Sequence, residues 1–201
     1  MNQKINMKEI ERKAYTAYHK DGVVDVTIGF SVLLFGAIML GDMPWIGGIL
    51  GILAISLYAG LKKVVTVPRI GYVKFPQQRA QRMLALTVVM GFLAFAAGMV
   101  AFMQTTSQGT PDWVILLIDN YMLTIGVAVA GLFLLGGYAF KTKRIYGYAL
   151  MSLAMFTVGH FLSFPIYYYL AALGTIILAI GIVLMNNFIQ KYPKATKTAE
   201  A

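Results

Sequence analysis

The sequence contains no cysteine, and only two of its 201 residues are histidine. Disulfides, thiolate metal sites, iron–sulfur clusters and cysteine nucleophiles are therefore excluded, and so is a metal site built from several histidines. Charged residues make up only 12% of the chain, whereas 59% of it is hydrophobic. An ordinary soluble domain is about a quarter charged. The composition therefore predicts an integral membrane protein rather than a soluble domain.

The motifs of several enzyme classes are also missing. The sequence has no Gly-x-Ser-x-Gly elbow, no phosphate-binding Gly-x-x-x-x-Gly-Lys loop and no His-Glu-x-x-His pair. Asp21-Gly22 is similar to part of the acidic motif of lipid alcohol-phosphate transferases, but the other acidic turns of that motif are absent. The sequence thus predicts a non-enzymatic protein without a cofactor.

Six segments are long and apolar enough to span a bilayer, which needs about 20 residues of helix. We predict an all-α integral membrane bundle of six transmembrane helices, with a segment at 1–22 that lies on the cytoplasmic side, a transmembrane domain at 23–189 and a cytoplasmic tail at 190–201. The predicted spans are residues 23–40, 45–65, 83–103, 113–140, 145–162 and 166–189.

The fourth segment is too long for a simple span, and Asp119 and Asn120 lie inside it. One interpretation starts the membrane helix near Asp119 as its N-cap and places residues 113–118 along the outer interface. The alternative is one long tilted helix that buries Asp119. The first is favoured because residues 121–140 already make a full span.

The distribution of positive charge predicts the orientation. The chain has 17 Lys and Arg against 8 Asp and Glu, and all 17 fall in four segments: the N-terminal region, the loop at 62–82, the loop at 141–144 and the C-terminal tail. Basic segments are retained in the cytoplasm. We therefore expect both termini and both loops to be cytoplasmic. Because the charge is spread over four segments, a nucleic-acid partner is not expected.

Glycine spacing predicts how the helices pack. Pairs seven residues apart lie on one helix face, and small residues allow helix backbones to approach closely in lipid. We expect these faces in the bundle interior or in a contact between copies of the chain. A proline and then an aromatic residue at each outer turn leave open an architecture of three repeated hairpins. The spaced glycines are Gly29 with Gly36, Gly91 with Gly98, Gly174 with Gly181, and the closer pair Gly47 and Gly51.

Two cytoplasmic segments are distinctive. Residues 7–20 have the apolar spacing of an amphipathic helix, which we expect to lie in the headgroup plane. Residues 64–75 mix β-branched and aromatic residues with proline and glycine, which predicts an ordered turn and a short extended piece. Four basic residues in or near this loop are candidates for binding anionic lipid headgroups: Arg69, Lys74, Arg79 and Arg82.

Asp21-Gly22-Val23-Val24-Asp25, with Gly29 four residues later, and the run at 68–75 (Pro-Arg-Ile-Gly-Tyr-Val-Lys-Phe) carry a resemblance. Over about its first 80 residues the chain resembles a group of small uncharacterised prokaryotic multi-pass membrane proteins. The resemblance implies a fold and a prokaryotic source, and it implies no activity.

Asp21 and Asp25 are four residues apart at the mouth of the first span, so they share one helix face. An ionisable group in a span is a functional hypothesis by default, and this pair is suited to bind a cation or relay a proton. The structural alternative, which we favour, is that Asp21 caps the helix and Asp25 pairs with Arg69 or another loop cation.

His160 lies near the outer end of the fifth span, where it is either a proton switch or a histidine hydrogen-bonded at the interface. With Asp119 and Asn120, His160 completes the set of residues that are candidates for binding a ligand or an ion.

The leading functional hypothesis is a module that binds a lipid, a small apolar ligand or a partner helix in the bilayer. The alternative is a small transporter or channel that uses intramembrane Asp residues. Expected partners are membrane lipids, anionic on the cytoplasmic side, and a second copy or another membrane protein.

Overall fold

The computed structural model describes Tyr18, residues 20–43, Gly47, and residues 49–71, 112–140, 142–162 and 164–193. These residues are helical, with no strand among them. The elements in chain order are α1 (Val23–Leu40), α2 (Leu50–Leu61), a π-helical turn (Lys62–Thr66), α3 (Val67–Ile70), α4 (Asp112–Asp119), α5 (Tyr121–Phe140), α6 (Lys143–Leu162) and α7 (Ile166–Lys191).

Five helices in this part of the chain are long and apolar enough to cross a membrane: Val23–Leu40, Leu50–Ile70, Tyr121–Phe140, Lys143–Leu162 and Ile166–Lys191. The prediction of an all-α fold is confirmed for the described residues, and the five candidate spans are compatible with a multi-pass membrane protein. The predicted third span at 83–103 and most of the predicted amphipathic helix at 7–20 lie outside the described residues. The second span extends further along the chain than predicted, because its helix continues through Pro68 to Ile70.

The chain divides into two compact units. In the first, which includes residues 1–74 and 164–201, α1 and α7 form the most extensive helix pair. Its seam is lined by glycines at the predicted seven-residue spacing. A Cβ atom added to Gly29 would collide with the backbone of Leu178, and one added to Gly181 would lie 2.5 Å from the amide nitrogen of Val26. The two backbones are therefore in direct contact, as glycine alone permits.

Gly22 extends this seam by one more seven-residue step. Its φ is +78°, in the left-handed region, and an added Cβ would lie 2.6 Å from the carbonyl oxygen of Gly181. Both its conformation and its surroundings therefore require glycine. Beside it, Val23, Val65 and Phe188 form a buried apolar cluster that joins the start of α1, the π-helical turn and the end of α7.

The closer glycine pair, Gly47 and Gly51, does not line one helix contact as the pairs on α1 and α7 do. An added Cβ on Gly47 would meet the ring of Phe35 at 2.7 Å, so this glycine does pack against α1. Gly51 faces open space, since no atom of the described chain lies within 4 Å of its added Cβ. Gly47 and Gly51 therefore do not form a shared packing face here. Gly91 and Gly98 lie outside the described residues.

In the second unit, α5 packs against α6. Gly126 gives room to Phe156, which is fully buried, because an added Cβ would lie 2.6 Å from the Cβ of Phe156. Phe133 and Tyr148 meet edge to face with ring centroids 6.0 Å apart. Ser152 is also fully buried, and its hydroxyl donates to the carbonyl of Ala149 at 2.9 Å. The polar group in this apolar core is thus satisfied within its own helix.

Candidate functional site

The described polar groups with the most mutual contacts lie at the start of α1. Asp21 is fully buried, one residue before the left-handed Gly22, and its Oδ1 accepts the backbone N–H of Val23 at 3.1 Å. Val23 is the first residue of α1. The carboxylate therefore satisfies one of the free amides of the first helical turn and lies at the positive end of the helix dipole.

Lys62 supplies the countercharge. Its Nζ lies 2.7 Å from Oδ2 of Asp21, and the residue is only 4% exposed. The same ammonium donates to the backbone carbonyl of Tyr18 and lies 3.8 Å from the centroid of the Tyr18 ring. Thr66 donates its hydroxyl to Oδ2 of Asp21 as well. We call these four residues, Tyr18, Asp21, Lys62 and Thr66, the Asp21 cluster.

Both charges of the Asp21 cluster are compensated. Removing two ions from water costs several kcal/mol each, which is recovered only when geometry is good and further hydrogen bonds are made. Here the carboxylate of Asp21 accepts from an ammonium, a hydroxyl and an amide, and the ammonium of Lys62 has a carboxylate, a carbonyl and an aromatic face. The cluster ties the segment before α1 to the end of α2.

The π-helical turn brings Lys62 and Thr66 to Asp21. Its wider hydrogen bond joins the N–H of Val67 to the carbonyl of Lys62, five residues back. Such turns are uncommon and often lie at functional positions. Lys62 and Thr66 are four residues apart, so they leave the helix on the same side and reach one carboxylate oxygen.

Pro68 and Arg69 account for the end of this turn. Pro68 has no N–H, so the carbonyl of Val64, four residues before it, lacks its α-helical donor. The guanidinium of Arg69 donates to the carbonyl of Val65 at 2.7 Å and to that of Val64 at 3.5 Å. Arg69 therefore supplies hydrogen bonds to carbonyls where the helix changes its register.

The predicted acidic pair is divided by role. Asp21 contacts the first turn of α1, as predicted, and it also forms an ion pair with Lys62; the ion pair predicted for Asp25 stays a prediction. Asp25 lies one turn later in α1 and is fully buried. Its backbone is at the seam with α7, since a Cβ added to Gly181 would lie 2.9 Å from the carbonyl carbon of Asp25.

The structure places Asp119 on the surface and shows a helix break after it. Asp119 is the last residue of α4 and Asn120 lies in a turn. The helix α5 then begins at Tyr121. The long helix that buries Asp119 is therefore wrong, and Asn120 rather than Asp119 occupies the position before α5. The side-chain amide of Asn120 donates to the carbonyl of Leu116 at 3.0 Å. The break falls where a carboxylate and an amide interrupt the apolar run.

His160 is partly exposed near the end of α6, where its ring meets that of Phe161 edge to face at 5.5 Å. It lies in the second unit, and the Asp21 cluster lies in the first. The headgroup candidates Lys74, Arg79 and Arg82 lie outside the described residues. In the part of the chain that the structure describes, no three His, Asp or Glu residues gather in a way that would hold a metal ion.

Sequence reasoning missed Lys62 and Thr66 as partners of Asp21. In the sequence, Lys62 is one of the 17 basic residues whose distribution predicts the orientation of the chain. The available signal was the four-residue spacing of Lys62 and Thr66 directly after an apolar helix.

Comparison of the chain with protein-family models, with curated proteins and with solved structures finds no match. The function is therefore argued from the structure and sequence alone.

Proposed function

We propose that the protein is a non-enzymatic integral membrane module that binds a lipid, a small apolar ligand or a partner helix within the bilayer. The proposal includes a sixth span at 83–103 and both termini on the cytoplasmic side of a prokaryotic inner membrane. Five candidate spans support the membrane part. The segregation of all 17 basic residues into four segments supports the orientation.

The observation that carries this proposal is that both charged groups of the Asp21 cluster are engaged by partners within the protein. A transport path needs polar groups that exchange partners with a moving ion or solute. The carboxylate of Asp21 is instead engaged by Val23, Lys62 and Thr66, which hold three parts of the chain together. Asp119, the other acidic residue proposed for a path, is exposed at the end of α4. The engaged carboxylate of Asp21 and the exposure of Asp119 therefore favour a structural role for these residues over a role in a transport path.

The apolar surface supports a ligand or partner in the bilayer. α2 has no buried residue, and its side chains at Ile52 and Ile55 are about seven-tenths exposed. Arg69 lies in α3, at the end of the same candidate span, Leu50–Ile70. With Lys74, Arg79 and Arg82, it remains a proposed site for anionic lipid headgroups.

Native mass spectrometry of the full chain, released from detergent, tests the proposal. We expect discrete adducts with the mass of a lipid or small apolar ligand, or a defined complex with a second copy or a membrane protein. The adducts should survive activation that removes detergent. A bare monomer under all conditions that keep the protein folded would contradict the proposal.

A small transporter is the second candidate, because Asp25 is fully buried inside a candidate span. An ionisable residue in such a position is a functional hypothesis by default. Its test is proton and cation flux into vesicles containing the purified protein. Flux that is lost in Asp25→Asn, but kept in the exposed matched control Asp42→Asn, would establish transport and overturn the module. Absence of flux with the folded wild-type protein would leave the module as the better account.

A further inference from the structure

The short helix α4 exposes nearly all of its apolar side chains. Of its eight residues only Val114 is buried, whereas Trp113 is 57%, Leu116 63% and Ile118 53% exposed. Ile115 and Leu117 are exposed as well. Successive helical residues point about 100° apart, so the four exposed residues 115–118 cover most of the circumference. A protein partner would cover one stripe of such a helix, whereas the acyl chains and headgroups of a leaflet can together contact all of its exposed circumference.

The helix is not a straight extension of α5. The hydroxyl of Thr124 donates to the carbonyl of Asn120 and also to that of Leu117, both at 3.1 Å. A threonine in a straight helix reaches the carbonyl four residues back, not the one seven residues back. The chain must therefore bend at Asn120 to bring Leu117 within reach.

Length and charge also separate α4 from the span. The 20 residues of α5 extend about 30 Å, which is enough to cross the hydrocarbon core alone. Asp112 and Asp119 mark the two ends of α4, and both are exposed. Between residues 112 and 140 there is no Lys or Arg. Carboxylates at both ends, with a Trp beside one of them, suit a helix at the depth where headgroups meet acyl chains.

We propose that α4 is a lipid-binding helix that lies in the plane of one leaflet, with acyl chains in contact with its flank and both carboxylates directed to the headgroup layer. This assigns α4 a bilayer partner independently of what the rest of the protein binds. In this placement the two ends of α4 lie at the same depth, whereas a helix that continues out of the bilayer would separate Trp113 and Ile118 by about 7.5 Å.

Tryptophan fluorescence measures that depth. The chain has two Trp residues, at positions 45 and 113, so Trp45→Phe leaves Trp113 as the sole reporter. The variant is placed in phosphatidylcholine vesicles whose bromines lie either near the headgroup end or near the methyl end of the acyl chain. We expect stronger quenching by the shallow bromine and weak quenching by aqueous iodide.

Two further variants locate the other end and provide a control. Trp45→Phe with Trp113→Phe and Ile118→Trp should give the same ratio of shallow to deep quenching as Trp113. The same background with Leu132→Trp is the matched control, because Leu132 is 41% exposed near the middle of α5. It should be quenched most by the deep bromine.

Each other result overturns the proposal. Quenching of Trp113 by iodide alone would mean a solvated helix, and quenching by neither agent would mean that protein covers it. Clearly different depths for positions 113 and 118 would mean that α4 crosses the leaflet. Because the first measurement uses the native Trp113, strongest quenching by the deep bromine or quenching by iodide alone would still overturn the proposal if the Ile118→Trp variant does not fold.

Discussion

The ammonium of Lys62 lies 2.7 Å from the carboxylate of Asp21, and both residues are buried. The pair joins positions 41 residues apart in the chain and fixes the entry to α1 against the end of α2. Because the hydroxyl of Thr66 and the N–H of Val23 also reach this carboxylate, loss of the lysine alone leaves a charge that still has hydrogen bonds but no countercharge.

We expect Lys62→Met to destabilise the protein strongly, by about 3–5 kcal/mol, because it leaves the carboxylate of Asp21 buried without a countercharge. Adding Asp21→Asn should recover much of this loss, since an amide of the same shape carries no charge. Unfolding of the detergent-solubilised protein in increasing dodecyl sulfate measures both free energies. Lys63→Met is the matched control, because Lys63 is exposed. Equal losses for Lys62→Met and Lys63→Met would contradict the ion-pair account.

The α1·α7 seam predicts that Gly29→Ala will be destabilising by about 1–3 kcal/mol, since the new methyl group would require the backbone at Leu178 to move. Gly51→Ala makes the same chemical change in α2 where the space is open. We expect it to be neutral or to stabilise by up to about 1 kcal/mol, as alanine restricts the unfolded chain. Thermal unfolding in detergent compares the two, and a seam that tolerates alanine at position 29 as well as at position 51 is not tightly packed.

Gly22→Ala should be harmful for two separate reasons. The left-handed φ of +78° costs an alanine about 1 kcal/mol, and its Cβ would lie 2.6 Å from both the carbonyl oxygen of Gly181 and the amide nitrogen of Met185. We expect a lower unfolding temperature and weaker protection of the α1 amides in hydrogen exchange. Gly41→Ala is a suitable control, because Gly41 has ordinary contacts and a negative φ. Unchanged protection in Gly22→Ala would show that this close approach does not hold the start of α1.

Variants of Arg69 separate its hydrogen bonding to backbone carbonyls from any binding of lipid headgroups. Its guanidinium donates to two carbonyls, so Arg69→Gln should cost about 1 kcal/mol of unfolding free energy. Arg69→Lys keeps the charge but loses the planar fork, so it should lose similar stability while keeping any binding of anionic vesicles. Vesicle co-sedimentation and unfolding in detergent give the two readouts. Full stability in Arg69→Gln with lost vesicle binding would reassign Arg69 to the headgroup alone.

Seven-residue glycine spacing predicted the faces that meet in the first unit, but not which helix meets which. Gly29 and Gly36 on α1 and Gly174 and Gly181 on α7 all lie at helix contacts, as expected. Spacing identifies a face because it follows from helical geometry. The partner depends on the packing of whole helices, which one-dimensional spacing does not contain.

Residues 64–70 show how a local pattern is overridden. Val64, Val65, Thr66 and Val67 favour a strand, and Pro68 predicts a turn, yet these residues form the π-helical turn and α3. The extended piece predicted for this region is therefore wrong as far as Ile70. An apolar environment favours a helix because it satisfies backbone groups within one segment. Pro68 is accepted in the first turn of α3 because the guanidinium of Arg69 donates to the carbonyl of Val64, which the missing N–H of Pro68 leaves without its helical donor.

The seam between α1 and α7 has a consequence for biosynthesis. α1 leaves the ribosome before α7, and the backbone surface that fits its glycines is more than 130 residues later in the chain. Until α7 enters the membrane, Gly29 and Gly36 face lipid or a temporary neighbour. The first unit therefore completes its core only after its last span has been made, and its assembly depends on a contact of long sequence separation.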